Sequence, residues 1–262
     1  MDPNLYLTKV FSESEPPVLF LDFDGTISKV DVIDAVLKEF ADERWLEIEQ
    51  QWLDGKIGSR ECLSRQVALV KADARALDEF YDTIEIDVGL RSVLQFCIDS
   101  GIDCHIVSDG FENYITRMLQ RELGPHFAPN LRVWANKLKP ADEGRWGADF
   151  PYFTDLCEHG CATCKPAVMR LNNPAQSQTI FVGDGMSDRF AAHEADVVFA
   201  KSSLAKYCSE AGIPMTEYCD LRPVAASLDQ AYEAFAIAVS NGRSLHKNLA
   251  FAAFPKMTQE NI

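Results

Sequence analysis

One stretch constrains this chain more than any other: Val18-Leu19-Phe20-Leu21-Asp22-Phe23-Asp24-Gly25-Thr26. A short apolar run closed by a turn signal reads as a buried β-strand. This one runs directly into two carboxylates. Strand alternation would point Asp22 and Asp24 the same way, but Gly25 bends the chain at once. Two acids therefore stand at the carboxyl end of a buried strand, where open α/β sheets take their ligands. A carboxylate in such a place costs free energy unless it is paired or holds a metal. A helix cap or a turn would account for Asp24-Gly25-Thr26. It would leave Asp22 unexplained.

Downstream, the chain is organised around this strand. Residues 1–17 read as a loose arm ending in Pro16-Pro17. After Asp31 the period becomes helical, and four helical patterns follow without a strand, with Ser59 and Asp73 as caps of the third and fourth. Residues 30–86 thus read as a small helical insert over the end of the first strand, although helices flanking the sheet would give the same pattern. The β/α alternation resumes with a helix ending at Gly101. The strand Cys104-His105-Ile106-Val107 then ends at Ser108-Asp109-Gly110. A helix stopped by Gly124-Pro125 comes next, then a strand over 131–138 and an edge strand or hairpin arm within 146–153. Pro166 opens a helix just after Lys165. Thr179-Ile180-Phe181-Val182 is a strand ending at Gly183-Asp184-Gly185, and Val197-Val198-Phe199-Ala200 is a last short one. Ser202 caps the next helix, 221–240 is helical, and the tail after Asn241 is unassigned. The expected fold is α/β: a Rossmann-like three-layer core with a parallel sheet, made of residues 1–29 and 87–262, plus a helical cap over 30–86.

Composition narrows the partners. The formal net charge of -15 offers no basic patch for nucleic acid or an anionic membrane. No apolar run approaches a membrane span, and Met1 to Pro17 lacks a signal-peptide apolar region. A cytoplasmic, reducing location is expected, so the eight cysteines read as thiols or metal ligands.

Three apolar strands end in polar groups: Asp22 and Asp24, Ser108, and Asp184. In a parallel sheet with right-handed crossovers these ends share one edge. Lys165 starts a helix between the second and third. Hard carboxylate oxygens in loops suit Mg2+. The Ser108 hydroxyl, Lys165 and backbone N–H groups at Asp109-Gly110 suit a phosphoryl group. Lys137 or Lys139 could take the place of Lys165. His105, inside an apolar run, reads as a buried core residue.

Together, Asp22-Phe23-Asp24-Gly25-Thr26-Ile27, Ser108, Lys165 and Gly183-Asp184-Gly185-Met186-Ser187-Asp188 resemble the four ordered motifs of haloacid-dehalogenase-superfamily phosphatases. The resemblance covers about residues 18–220, and the insert after the first strand is similar to the cap of the phosphoserine-phosphatase-type subgroup. It implies a phosphomonoester hydrolase acting on a small phosphorylated metabolite, as a monomer or homodimer, with Mg2+ and an aspartyl-phosphate intermediate. Carried over by motif, Asp22 would be the nucleophile, and Asp24 the acid and then the base. Asp22, Asp24 through its carbonyl and Asp184 would hold the metal, with Asp188 a further ligand or an orienter of metal-bound water. Ser108 and Lys165 would hold the phosphoryl oxygens and the transition-state charge, beside the Asp109 and Gly110 backbone. Dehalogenases of the superfamily lack the second acid, so Asp24 favours phosphate ester chemistry.

The run Cys157-Glu158-His159-Gly160-Cys161-Ala162-Thr163-Cys164-Lys165-Pro166 holds four soft donors, Cys157, His159, Cys161 and Cys164. These could bind Zn2+, or be thiols that shape the loop, or form a redox pair. The run, with Gly-Asp-x-x-x-Asp nineteen residues after Lys165, resembles the 2-hydroxy-3-keto-5-methylthiopentenyl-1-phosphate phosphatases of methionine salvage. That branch implies an enediol phosphate substrate.

Phosphoserine phosphatases are the nearest rival. They carry a Glu nine residues after the nucleophile, where this chain has Asp31. Asp31 could bind a substrate ammonium or cap a helix. Their cap Arg for the substrate carboxylate falls at Gln66 here, with Arg65 beside it. Gln cannot make the bidentate pair that Arg makes with a carboxylate, although a one-residue slip would restore it. A small-amine phosphate phosphatase, a phosphotransferase using the same aspartyl phosphate, and a non-catalytic phosphate-binding protein are further readings.

Overall fold

The computed structural model describes residues 3–11, 15–124, 131–141 and 144–240. Pro125 and the tail from Asn241 lie outside the described residues. Strand β1 (Val18–Leu21) lies inside a seven-stranded sheet of order β4-β3-β2-β1-β5-β6-β7. The others are β2 (Asp103–Phe111), β3 (Arg132–Pro140), β4 (Trp146–Asp149), β5 (Thr179–Gly183), β6 (Val197–Ala200) and β7 (Thr216–Glu217). All pairings are parallel except β3 with β4. Every residue of β1 is buried, as a parallel strand covered on both faces requires.

Alternation along β1 splits its side chains between two layers. Leu19 and Leu21 join one apolar cluster, with buried residues of α6 (Leu90–Ser100), α7 (Glu112–Leu123) and α11 (Leu221–Ser240). Val18 and Phe20 join the other, with those of α8 (Lys165–Leu171), α9 (Arg189–Glu194) and α10 (Ser202–Ala211). The fold is therefore a three-layer α/β sandwich. His105 lies in this core, stacked on Phe20 with ring centroids 5.2 Å apart and accepting from Trp134 Nε1 at 3.2 Å.

Between β1 and β2 come α2 (Val32–Phe40), α3 (Arg44–Leu53), α4 (Ser59–Val67) and α5 (Ala74–Tyr81). Asp31 caps α2 by accepting from Asp34 N at 2.9 Å, and Asp73 caps α5 by accepting from Ala76 N at 2.8 Å. The chain leaves and re-enters the sheet side by side. Ser28 and Ile86 form an antiparallel bridge, and Asp87 N donates to Ile27 O at 2.8 Å.

Several expectations need correction. The arm is not wholly loose, because Pro3–Val10 is a helix, α1. Leu7, Val10 and Phe11 recur at helical spacing and are buried, and the Phe11 ring edges onto Tyr232 of α11 at 5.6 Å. Strand β2 does not stop at Val107. It continues through Ser108-Asp109-Gly110 to Phe111 after a register shift, with Asn136 Nδ2 donating to Asp109 O at 2.6 Å. Val197–Ala200 is not the last strand, since β7 follows it. Ser59 is the first residue of α4 behind Gly58 at the cap position, and Ser202 is the first of α10 behind Lys201. The Ser59 hydroxyl instead accepts from Ala162 N at 3.3 Å. Among the described residues no helix is long and apolar enough to cross a membrane.

Removing the Phe11 ring should empty the seam between α1 and α11. Phe11→Ala is expected to lower unfolding stability by about 3 kcal/mol, measured by urea denaturation. A change below about 0.5 kcal/mol, typical of a surface substitution, would refute the packing of α1.

Candidate active site

Parallel register sets the site. Leu21 is level with Ile106 of β2 and Val182 of β5, so the polar residues that follow emerge together. Asp22 N donates to Val182 O at 2.9 Å, which keeps the first acid in the sheet for one more residue. Asp22, Asp184 and Asp188 then offer carboxylate oxygens that all lie within 4.8 Å of one another. Asp188 Oδ2 accepts from the backbone N–H groups of Asp184 and Gly185 at 3.0 and 3.1 Å. The Asp184 carbonyl accepts from Leu204 N, in the first turn of α10, at 2.8 Å, and Thr26 Oγ1 donates to its carboxylate at 3.3 Å.

Lys165 joins the acids from below. Its Nζ lies 2.5 Å from both Asp22 Oδ1 and Asp188 Oδ1, and the residue is only 1% exposed. Lys137 and Lys139, the rival lysines, are surface residues paired with Glu112 and Asp149. Burial opposes the charge on Lys165, but the Asp188 and Asp22 carboxylates outweigh it and raise its pKa. Burial pushes Asp22 well above the ordinary carboxylate range; Asp188 adds to this and Lys165 opposes it. Burial and the Asp188 charge push Asp184 up to about 7. Three hard carboxylates this close fit a divalent cation such as Mg2+, which would relieve their repulsion.

Asp24 occupies a different setting. Its carboxylate accepts from Ser108 Oγ at 2.9 Å, from Tyr114 Oη at 2.8 Å and from Val32 N at 3.2 Å. Burial raises its pKa, and the Tyr114 and Ser108 hydroxyls hold that rise back. The sequence reading missed Tyr114. Its only signal was an aromatic residue on the buried face of α7. Gly110 makes the arrangement fit: a Cβ there would come within 1.8 Å of Tyr114 Oη and 2.2 Å of Asp24 Oδ2. Ser108 Oγ also accepts from Gly110 N at 2.8 Å.

An open cleft above the acids is lined by Asp22, Asp24, Asp109, Gly110 and Asp184 from the sheet edge, and by Asp31, Glu49 and Gln66 from the helices. Asp31 is thus both a helix cap and a cleft residue. Asp109 Oδ1 accepts from Thr163 N at 2.9 Å. Arg65 does not line the cleft. Its guanidinium lies near the surface against Gln51 and Glu61, so the helix turns Gln66 inward instead.

The zinc expectation finds no support. Among the described residues the only cluster of three or more metal-binding side chains is the aspartate one. His159 stacks flat on Phe190, with ring centroids 3.9 Å apart. The thiol of Cys157 faces those of Cys161 and Cys164, and all eight cysteines are free.

Residues 19–193 match the profile of the haloacid dehalogenase-like hydrolases. The chain belongs to that family. It is 28% identical over 225 residues to a 2-hydroxy-3-keto-5-methylthiopentenyl-1-phosphate phosphatase of Geobacillus kaustophilus, covering 81% of this chain and 96% of that one. A protein of the same name from Brevibacillus brevis is 29% identical over 223 residues, covering 84% and 98%. Among solved structures, a phospho-aspartyl intermediate analogue of phosphoserine phosphatase aligns with a TM-score of 0.60 at 19% identity. That alignment covers 79% of this chain and 96% of the other, and it shows the shared fold.

The raised Asp184 pKa has a measurable consequence. Its folded value, about 7, exceeds the ordinary 3.8, so between these limits the folded state holds more protons than the unfolded one. This group's contribution to the metal-free protein is therefore lost as pH rises through about 7. A cation competes with that proton, so millimolar Mg2+ should raise the melting temperature more at pH 8 than at pH 6. Equal or reversed shifts in a thermal melt would count against metal binding at Asp184.

Proposed function

We propose that this phosphatase hydrolyses a small phosphorylated metabolite by carrying the phosphoryl group on Asp22. The observation that supports it most directly is the division of labour between two acids two residues apart. Asp22 lies in the cluster with Asp184, Asp188 and Lys165, while Asp24 is held separately by Ser108 and Tyr114. In this reading the Asp22 carboxylate attacks phosphorus and the bond to the leaving oxygen breaks. Asp24, whose pKa burial raises, gives that oxygen its proton. It then takes a proton from the water that attacks the acyl phosphate, which returns Asp22 and releases phosphate. Lys165 keeps Asp22 oriented, and Ser108, whose hydroxyl donates to Asp24, keeps that acid in place for the proton transfer.

Mg2+, held by Asp22, Asp184 and Asp188 with the Asp24 carbonyl, would offset the charge of the carboxylates and of the incoming phosphate. Residues 30–86 act as the cap that selects the leaving group, over a core of residues 1–29 and 87–262. The substrate is the methylthio enediol phosphate named for the relatives. The cysteine run before Lys165, which resembles that branch, and the glutamine at position 66 support this choice over phosphoserine. Eight unpaired thiols suit a reducing, cytoplasmic setting.

Asp22→Asn keeps the shape but removes the nucleophile, and should lower phosphate release from the methylthio enediol phosphate at least ~10³-fold with an unchanged circular dichroism spectrum. Retained hydrolysis in that variant would defeat the assignment.

Tyr114→Phe removes a donor that favours ionised Asp24. The acidic limb of the kcat profile should then move upward by about one pH unit. An unmoved limb would show that Asp24 is not the group being titrated.

A further inference from the structure

Gln66 stands out among the cleft residues. Its side chain is 2% exposed, and its Nε2 donates to Glu49 Oε2 at 2.9 Å. An ionised carboxylate can only accept, so Glu49 fixes the amide with its nitrogen inward. Gln66 Oε1 accepts no hydrogen bond from the described protein. Among the described side chains the one buried polar atom sealed away without a partner is His105 Nε2. Gln66 Oε1 is therefore open to the cleft that the residue lines. It presents an acceptor, fixed in place, facing whatever stands beyond the phosphoryl group.

The surrounding charge is one-sided. Asp31, Asp34 and Glu49 line the same helical part of the cleft, and among the described residues no lysine or arginine lines any of it. Lys165 is spent between Asp22 and Asp188 beneath the floor. A carboxylate on the leaving group would meet the charges of Asp31, Asp34 and Glu49 and the Gln66 acceptor, with the Ser59 and Ser187 hydroxyls but no lysine or arginine to pair with. A hydroxyl would meet a partner. Ile33, Trp52 and Leu63 add apolar surface for a short tail.

We propose that Gln66 is a specificity-determining residue that accepts a hydrogen bond from a hydroxyl of the leaving group. The site then takes phosphomonoesters of neutral, hydroxylated, partly apolar alcohols and turns away those whose leaving group carries a carboxylate. The inference rests on the phosphoryl-transfer reading of the same cleft.

Three phosphomonoesters with a common three-carbon chain test it: glycerol 3-phosphate, n-propyl phosphate and 3-phosphoglycerate. Phosphate release with Mg2+ gives kcat/KM for the wild type, Gln66→Leu, Gln66→Arg and Asp22→Asn. The wild type should prefer glycerol 3-phosphate to propyl phosphate by about tenfold, the worth of one hydrogen bond. It should prefer it to 3-phosphoglycerate by about 100-fold, as expected when a buried acceptor and an unpaired charge are opposed. Gln66→Leu should reduce the first ratio about tenfold. Gln66→Arg should raise 3-phosphoglycerate relative to glycerol 3-phosphate by at least about tenfold, because a guanidinium can pair with its carboxylate. These are ratios within one preparation, so a reduced folded fraction leaves them intact.

A wild type that hydrolyses 3-phosphoglycerate as well as glycerol 3-phosphate overturns the proposal. So do unchanged ratios in both Gln66 variants. If Asp22→Asn is inactive in those circumstances, only the role of Gln66 falls. If Asp22→Asn is as active as the wild type, the underlying reading falls with it.

Discussion

Three carboxylates crowded within 4.8 Å cannot all be ionised in a buried place without help, and that repulsion governs the rest of the site. Lys165 supplies one positive charge, 2.5 Å from two of the three. With Asp22, Asp184 and Asp188 ionised and Lys165 protonated, roughly two negative charges remain, the charge a single divalent ion cancels. A phosphate dianion approaching an uncompensated cluster would be repelled. Approaching a neutralised one, it is not. The lysine and the cation that the three acids would hold are therefore parts of one arrangement, and the buried lysine is tolerated because it is paired on both sides.

The second constraint keeps Asp24 apart from that cluster. Two residues of sequence separate it from Asp22, yet its partners come from β2 and α7, on the other side of β1 from Asp184. The continuation of β2 through Gly110 makes this possible. The strand brings the Ser108 hydroxyl to Asp24 and leaves room for the Tyr114 phenol above a residue without a side chain. Two acids so placed can hold different protonation states at one pH, which acid and base chemistry requires.

The strand-end acids and Ser108 were legible because each sits where an apolar run stops, and Lys165 because it stands at a helix start marked by Pro166, signals carried by local sequence. So was the layered fold, since β1, β5 and β6 are continuous apolar runs of the kind that parallel sheets bury on both faces. Tyr114 was not legible. An aromatic residue on the apolar face of a helix looks the same whether its hydroxyl is idle or bonded to an acid across the sheet. The extension of β2 was hidden because Ser108-Asp109-Gly110 is polar. What holds it in the sheet is a contact with Asn136, far away in sequence. Which of Arg65 and Gln66 turns inward depends on the rotation of α4, and a pattern fixes that only to within about a residue. The cysteine run suggested a metal because its donors are closely spaced. The backbone between them instead sets His159 flat against Phe190.

That same run explains why the helical insert and the buried lysine are coupled. Gly160 O accepts from Arg60 N at 3.1 Å, and Ala162 N donates to Ser59 Oγ at 3.3 Å, so the loop is fastened to the start of α4. At Gly58 and Gly160 the contact is backbone against backbone. A Cβ on Gly58 would lie 2.4 Å from the Gly160 oxygen, which only glycine avoids. A few residues later Thr163 N binds Asp109 and Cys164 N binds Tyr152 O, and the next residue is Lys165. Small residues and thiols let this segment lie close enough to touch both sides, where larger polar chains would hold them apart. The loop thus sets the position of the lysine that pairs with Asp22 and the position of the helix that carries Gln66. A shift of α4 large enough to admit a bulkier leaving group would pull on the backbone that holds Lys165 between its two carboxylates.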